Sequence, residues 1–271
     1  MKINKFYIIF SYLTLILYPF SVFSENHSAS VKSELIVEAD ESLEWFEKEK
    51  YYLAKGNVIL TKDGLRLNAD IVKATYEEEK GENVLKKITA KGNVTLTKEK
   101  AKVTGELMTY DVKTKIAQMS GSFQTFSSPS GYIESNKSLR FDDSNNKAEA
   151  QGKVKIILVN KTIIYADNVK ANFTGKEKSL QKAIAKGNVI IENKLQGKTS
   201  KADIGIYNSF NQLMELQGNV VIVNQGSKIM GSKGTSNIKT GMSKIIGNLE
   251  KKERVKGVFS PRKKRKGDKT E

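Results

Sequence analysis

The feature that most constrains this 271-residue chain is a five-residue phrase that recurs about every thirty residues. Three copies read Ala-Lys-Gly-Asn-Val and begin at Ala54, Ala90 and Ala185. Three looser copies keep the glycine, so that six glycines lie 36, 29, 31, 35 and 31 residues apart. These glycines are Gly56, Gly92, Gly121, Gly152, Gly187 and Gly218. Repetition at such a period indicates a fold built by stacking one small structural unit.

A second phrase, Ala-Asp, opens most of the units, and an aromatic residue follows it. The aspartates are Asp40, Asp70, Asp167 and Asp203. The aromatic residues are Trp45, Tyr76, Tyr110, Phe141, Phe173 and Tyr207. Clusters rich in charged residues, Gly and Asn come next, as at 78–83 and 142–147, and such clusters favour turns. One aspartate per unit at a strand start indicates a structural, turn-capping role, and a metal site is the less favoured alternative.

After each repeated glycine, apolar residues stand two apart, which places them on one face of an extended strand. The residues predicted to share this inward face are Val58, Leu60, Val94, Leu96, Phe123, Val154, Ile156, Val189, Ile191, Val220 and Ile222. Helical spacing is not sustained anywhere after residue 30. Each unit is therefore predicted to be a strand, a turn and a second strand, with a bend or bulge at Gly-Asn between strands.

Two strands per unit argue against a β-propeller, whose blades need four. The units instead predict an all-β fold of ~13–15 strands. We expect an open, elongated antiparallel β-jelly roll, or β-taco, in which one long sheet folds over on itself.

Residues 1–24 have the pattern of a signal peptide. Lys2 and Lys5 precede an apolar run that ends in Val22-Phe23-Ser24, with small residues at the −3 and −1 positions of a cleavage site. An uncleaved membrane anchor is the alternative, since the run approaches the ~18 residues that span a bilayer. Cleavage predicts a periplasmic protein. Residues 25–33 would then be a flexible N-terminus, 34–259 the β-domain and 260–271 a basic tail.

The composition favours binding over catalysis. The net charge of +16 attracts phosphates, and for an exported chain a phosphorylated lipid is a more natural partner than nucleic acid. The chain has no cysteine and a single histidine, His27. No catalytic triad, zinc site or phosphate-binding loop can be assembled from these residues. We therefore predict no enzyme activity, no cofactor and no metal.

The recurring Ala-Asp, aromatic and Gly-Asn-Val phrases resemble those of the LptA/OstA family of periplasmic lipopolysaccharide-transport proteins. The resemblance runs from about Glu34 to Val258, and residues 254–261 are similar to the closing strand of the family. Two features depart from it. The chain is longer than the shortest members, and the basic run at 262–266 is not a feature that the resemblance supplies.

The resemblance implies a V-shaped jelly roll whose interior holds the acyl chains of lipopolysaccharide. It also implies head-to-tail stacking between an inner-membrane LptC-like partner and an outer-membrane LptD-like partner, with edge strands near 35–38 and 255–259. The apolar inward face is then either a closed core or a lipid-binding groove, and the resemblance favours the groove. A membrane-anchored, LptC-like adaptor and an envelope β-protein that binds no lipid are the alternatives.

Overall fold

The computed structural model describes residues 35–159, 161–174, 179–224, 226–237, 242–248 and 253–259, which form one antiparallel sheet of eighteen strands. The strands are β1 (Ile36–Glu38), β2 (Ser42–Phe46), β3 (Tyr51–Lys62), β4 (Leu65–Glu79), β5 (Glu82–Lys98), β6 (Ala101–Asp111), β7 (Ile116–Ser120), β8 (Gln124–Ser128), β9 (Gly131–Ser135), β10 (Ser138–Asp142), β11 (Lys147–Leu158), β12 (Thr162–Thr174), β13 (Ser179–Asn193), β14 (Lys198–Asn208), β15 (Leu213–Asn224), β16 (Ser227–Asn237), β17 (Ser243–Ile246) and β18 (Lys256–Val258). The all-β prediction is confirmed. No helix in the described part of the chain is long and apolar enough to cross a membrane.

Most strands are long and pair with their neighbours in sequence, from β3 to β6 and from β11 to β16. At four places two short strands lie end to end beside one long strand. They are β1 and β2 beside β3, β7 and β8 beside β6, β9 and β10 beside β11, and β17 and β18 beside β16. Eighteen strands therefore occupy fourteen positions, with β1/β2 at one edge and β17/β18 at the other.

The repeated Gly-Asn phrase forms a bulge, one of the two predicted alternatives, but the bulge lies inside a long strand and not between two strands. The register of β5 against β6 shifts between Lys91 and Val94, and the same shift recurs in β3, β11, β13 and β15. Gly92 and Asn93 both have a positive φ, of 75° and 46°. Glycine adopts this conformation freely and asparagine tolerates it, which explains why the phrase recurs in this form.

The Ala-Asp phrase lies beside the bulge of the neighbouring strand. The amide Nδ2 of Asn93 donates hydrogen bonds of 3.1 and 3.2 Å to the two carboxylate oxygens of Asp70. Equivalent bonds join Asn57 to Asp40, Asn188 to Asp167 and Asn219 to Asp203, at 2.8, 2.9 and 2.9 Å. The aspartates thus have the predicted structural role, but at bulges in place of turns. The described residues hold no group of three or more side chains suited to bind a metal.

Replacing Gly92 by alanine should destabilise the protein by about 3 kcal/mol, which combines the strain of an alanine in the left-handed conformation with the loss of the hydrogen bonds between Asn93 and Asp70. An added Cβ would overlap the carboxylate of Asp70, and the bond to Asn93 would be lost. Gly81 is the matched control, since its φ is 83° and nothing lies within 4 Å of an added Cβ. Gly81→Ala should cost only about 1 kcal/mol. Urea unfolding of both variants measures this, and equal losses would contradict it.

The bulges lie in a row across the sheet and divide it into two parts. We call them the first leaf, which contains β1, β8, β9 and β18, and the second leaf, which contains β2, β7, β10 and β17. Each long strand contributes one segment to each leaf.

One contact shows that the two leaves face each other. The Nζ of Lys198, on the first leaf, donates a hydrogen bond of 3.2 Å to Ser236 Oγ on the second. Lys198 pairs with Asn224 and Ser236 pairs with Met214, so they flank positions ten residues apart on β15. In a flat sheet that separation is about 30 Å, which no lysine spans. The sheet is therefore folded over along the bulge row, as the sequence predicted.

The core between the leaves is largest in the N-terminal half. One buried cluster joins first-leaf residues such as Val58 and Val94 to second-leaf residues such as Ile88 and Tyr110. Smaller clusters follow, one around Ala166, Ala185 and Val189 and another around Leu216 and Val220. The middle of the fold lies between the large N-terminal cluster and the two smaller ones, and side chains fill the space between the leaves less completely there.

Candidate functional site

The apolar residues that follow the repeated glycines lie on the inward face of the first leaf. Those two places after the glycine are at most 1% exposed, namely Val58, Val94, Val154, Val189 and Val220. Four places after it, Leu60, Leu96 and Ile222 are buried, while Ile156 and Ile191 are half-buried. The first set packs the fold, and the second set lies farther from the bulge row.

Phe123 is the exception, and its predicted inward position is wrong. Its side chain is 53% exposed, and the buried position passes to the next residue, Gln124. The cause is local, because the strand is interrupted between Ser120 and Gln124. The interruption holds one residue more than the bulges elsewhere, so inward and outward positions exchange. A pattern with period two cannot reveal a shift of one residue.

The repeated aromatic residues lie on the second leaf, opposite the apolar set. Tyr76, Tyr110, Phe141 and Phe173 are buried, and Tyr207 is half-buried. Trp45 lies on the edge strand β2 and remains 59% exposed. Its Nε1 donates a hydrogen bond of 2.6 Å to the hydroxyl of Tyr76, and its ring stacks on Tyr52. This hydrogen bond pairs the two polar atoms with each other, so the inward face stays apolar up to the first edge of the sheet.

A cavity of about 180 Å³ separates the leaves in the middle of the fold. Four residues of the two predicted sets line it, Leu96 and Ile156 from the first leaf and Phe141 and Phe173 from the second. Most of the other lining residues are apolar as well: Val103, Met108, Ala117, Met119, Phe126, Tyr132, Ile133, Leu139, Ala148, Ala150, Leu158, Val169, Ala171, Leu180 and Ala183. The cavity is partly open to solvent, and its apolar lining is suited to an apolar ligand.

Small side chains on the second leaf create this space. Ala117, Ala148 and Ala183 line the cavity four places before a repeated glycine, where the N-terminal half of the fold has the larger Ile88. Ala171 also lines the cavity and lies between Ala148 and Ala183 in the sheet. Sequence reasoning followed the branched and aromatic residues and missed these alanines. These alanines follow the same period of two residues as the larger apolar side chains, and that spacing could have identified them.

Polar groups are few at the cavity wall. Ser130 is buried, and its hydroxyl has no hydrogen-bond partner among the described residues. Gln118, Arg140 and Glu149 also line the cavity. Glu149 accepts hydrogen bonds from Asn168 and Gln151, which hold its pKa below the usual value against the effect of burial. His27, the one histidine, lies outside the described residues. This arrangement suits a ligand held by apolar contact.

The predicted edge strands lie at opposite ends of the sheet. In β1, Ile36 is exposed, and Leu43 and Trp45 are exposed in the neighbouring β2. At the other end, Val258 and Phe259 are exposed. An edge strand leaves one row of backbone N–H and C=O groups unpaired, and exposed apolar side chains beside it are typical of a surface that pairs with another chain.

Comparison with known proteins gives a family match and a structural similarity. A family model described as the LptA/(LptD N-terminal domain) LPS transport protein matches residues 37–130 and 132–242. Among solved structures, the chain is similar to LptH, the LptA-homologous periplasmic component of the lipopolysaccharide transport device of Pseudomonas aeruginosa, with 13% identity and a TM-score of 0.42. That similarity covers 48% of this chain and 94% of the LptH chain. No curated protein matches. The family match itself extends across both leaves from β1 to β16.

Proposed function

Because the chain belongs to the family of LptA and LptD N-terminal-domain lipopolysaccharide-transport proteins, we propose that it is a periplasmic lipid carrier. The family supports a role in lipopolysaccharide transport, which agrees with the resemblance of the repeats. We propose further that the groove between the leaves holds the acyl chains and that the protein passes the lipid from the inner to the outer membrane. Binding and transfer, without a catalytic step, are then its whole activity.

The observation that carries this proposal is the apolar cavity between the leaves. Each methylene group transferred from water into such a site contributes about 0.8 kcal/mol. Ten methylenes would contribute about 8 kcal/mol before the cost of ordering the chain is subtracted. Apolar contact alone therefore suffices for tight binding, and the ligand needs few polar partners.

Transfer needs contact with neighbours, and the two sheet edges are suited to it. A first edge that pairs with the last edge of another copy makes a contact that does not close on itself, so copies add head to tail. We propose this assembly, with an inner-membrane LptC-like partner at one end and an outer-membrane LptD-like partner at the other. Grooves of successive copies would then line up.

A second candidate is a membrane-anchored, LptC-like adaptor of the same system, which the apolar run at 6–23 favours. This run lies outside the described residues, as do the predicted cleavage site and the basic tail. We propose residues 1–24 as a signal peptide, 25–33 as a flexible N-terminus, 34–259 as the β-domain and 260–271 as the tail. Sequencing the mature N-terminus discriminates, since a carrier begins at Glu25 and an anchored adaptor keeps Met1.

The direct test is to extract the lipid that copurifies with the native protein from its periplasmic fraction and to identify it by mass spectrometry. We expect lipopolysaccharide or its lipid A portion, in an amount comparable to that of the protein. A protein that carries no lipid, and that takes up none when mixed with lipopolysaccharide, would be a structural envelope protein and would contradict the proposal.

A further inference from the structure

Lys198 is a lysine on the inward face of the sheet, and no described acidic residue pairs with it. It lies on the same face of β14 as Ser200 and Ala202, both buried. Within the described ranges its Nζ donates hydrogen bonds to two serine hydroxyls, Ser243 Oγ at 2.8 Å and Ser236 Oγ at 3.2 Å. Burial lowers the pKa of Lys198, because desolvation disfavours its charged form. The described residues therefore hold a positive charge between the leaves and supply no counter-charge.

The hydrogen-bond inventory of this cluster leaves donors unused. An ammonium group has three N–H donors, and Lys198 uses two of them. Ser243 Oγ donates to Ser236 Oγ at 3.0 Å, so Ser236 accepts two bonds and donates none to a described residue. One N–H of Lys198 and the O–H of Ser236 remain for a ligand. A cluster with a net positive charge and spare donors is suited to an anion.

We propose that Lys198, Ser236 and Ser243 form a binding site for a phosphate group of the carried lipid. The proposal rests on the proposed function, since the groove places acyl chains against the same inward face. A lysine binds phosphate as a point charge, and the neighbouring hydroxyl adds a directed hydrogen bond. The site fixes one end of a ligand whose apolar chains by themselves have little preference for orientation.

The test uses the mature full-length protein with two lipid probes, lipid A that carries both phosphates and the same lipid A with its phosphates removed. Lys198→Met removes the charge and keeps most of the length of the side chain. Lys201→Met is the matched control, because Lys201 is exposed on the opposite face of β14 and its loss changes the net charge equally. Inorganic phosphate serves as a third probe. Equilibrium dissociation constants are measured in one detergent, and thermal unfolding checks the fold.

We expect Lys198→Met to weaken binding of phosphorylated lipid A about tenfold, the effect of losing one charge-assisted hydrogen bond. Binding of the dephosphorylated lipid should not change, and Lys201→Met should bind both lipids like the parent. Lys198→Arg keeps the positive charge and should retain most of the affinity of the parent for phosphorylated lipid A. If Lys198→Met does not fold, Ser236→Ala should give a smaller loss that is again confined to the phosphorylated lipid.

Equal effects of Lys198→Met on both lipids, or none on either, would overturn the site. The cluster would then only hold the two leaves together through hydrogen bonds. Inorganic phosphate that binds through Lys198 without competing with lipid A would assign the site to free phosphate and overturn the lipid-borne source. A parent protein that binds neither lipid would instead contradict the proposed function. The two failures are thus distinguishable.

Discussion

Replacing Ile156 by aspartate should reduce lipid binding at least a hundredfold. Ile156 lines the cavity and is half-buried. An aspartate there would place a carboxylate against acyl chains, and burying an uncompensated charge or polar group costs several kcal/mol. A loss of about 2.7 kcal/mol already corresponds to a factor of one hundred in affinity. Without lipid the same carboxylate can remain hydrated, so the effect on folding should be smaller.

The matched control is Ile157→Asp, the same substitution one residue along β11. Ile157 is also half-buried, but side chains alternate along β11, so it points away from the face of Ile156, and neither Ile157 nor its strand partner Ile163 lines the cavity. This variant should bind lipopolysaccharide like the parent. Photocrosslinking of lipid to the purified variants measures the difference, with urea unfolding to compare their stabilities. If Ile156→Asp binds lipid like the parent, the interior is a closed core.

The structure also refines which positions are useful for such a test. By sequence alone, Val154 and Ile156 are equivalent, since both follow Gly152 on one face of the strand. Val154 is only 1% exposed, so a charge there should unfold the protein and would not test the groove. Ile156 lies two residues farther from the bulge row, where the leaves have separated. In β11, therefore, the position next to the bulge row packs the fold, and the position farther from it lines the cavity.

Much of the fold could be predicted because each unit repeats the same local chemistry. Gly92 and Asn93 identify the bulge, and Val94 and Leu96 identify the inward face, since each preference depends on residues close in sequence. The interrupted strand before Gln124 broke that rule, so Phe123 was misplaced. The predictable part of the structure is the part that neighbouring residues determine.

The residues that line the groove are far apart in sequence, and a repeat period cannot predict which of them face each other. Ala148 and Ala171 matter because of what faces them across the groove. Lys198 is unremarkable in a chain with 46 basic residues, and only the folding of the sheet brings it to Ser236 and Ser243. Trp45 belongs to the aromatic set by sequence, yet its position on an edge strand leaves it exposed. The site therefore required the structure.

Replacing Val258 by proline should block head-to-tail association. Val258 lies in β18, the edge strand that pairs with β16 through Lys228, and its side chain is exposed. Proline has no backbone N–H and cannot continue a β-ladder, so this edge would lose the geometry that another strand needs. The cavity is lined by residues between Leu96 and Ala183, far along the chain from β18. We therefore expect a monomer that still binds lipid.

Val258→Ala is the control, because it removes the branched side chain but keeps the N–H. If backbone pairing drives association, this variant should still form oligomers, whereas the proline variant should not. Light scattering over a range of protein concentrations measures the association, and lipid crosslinking on the same samples measures the groove. Ile156→Asp should show the opposite behaviour, with association kept and lipid lost. If the proline variant associates like the parent, copies must meet through another surface, and alignment of grooves by edge pairing is excluded.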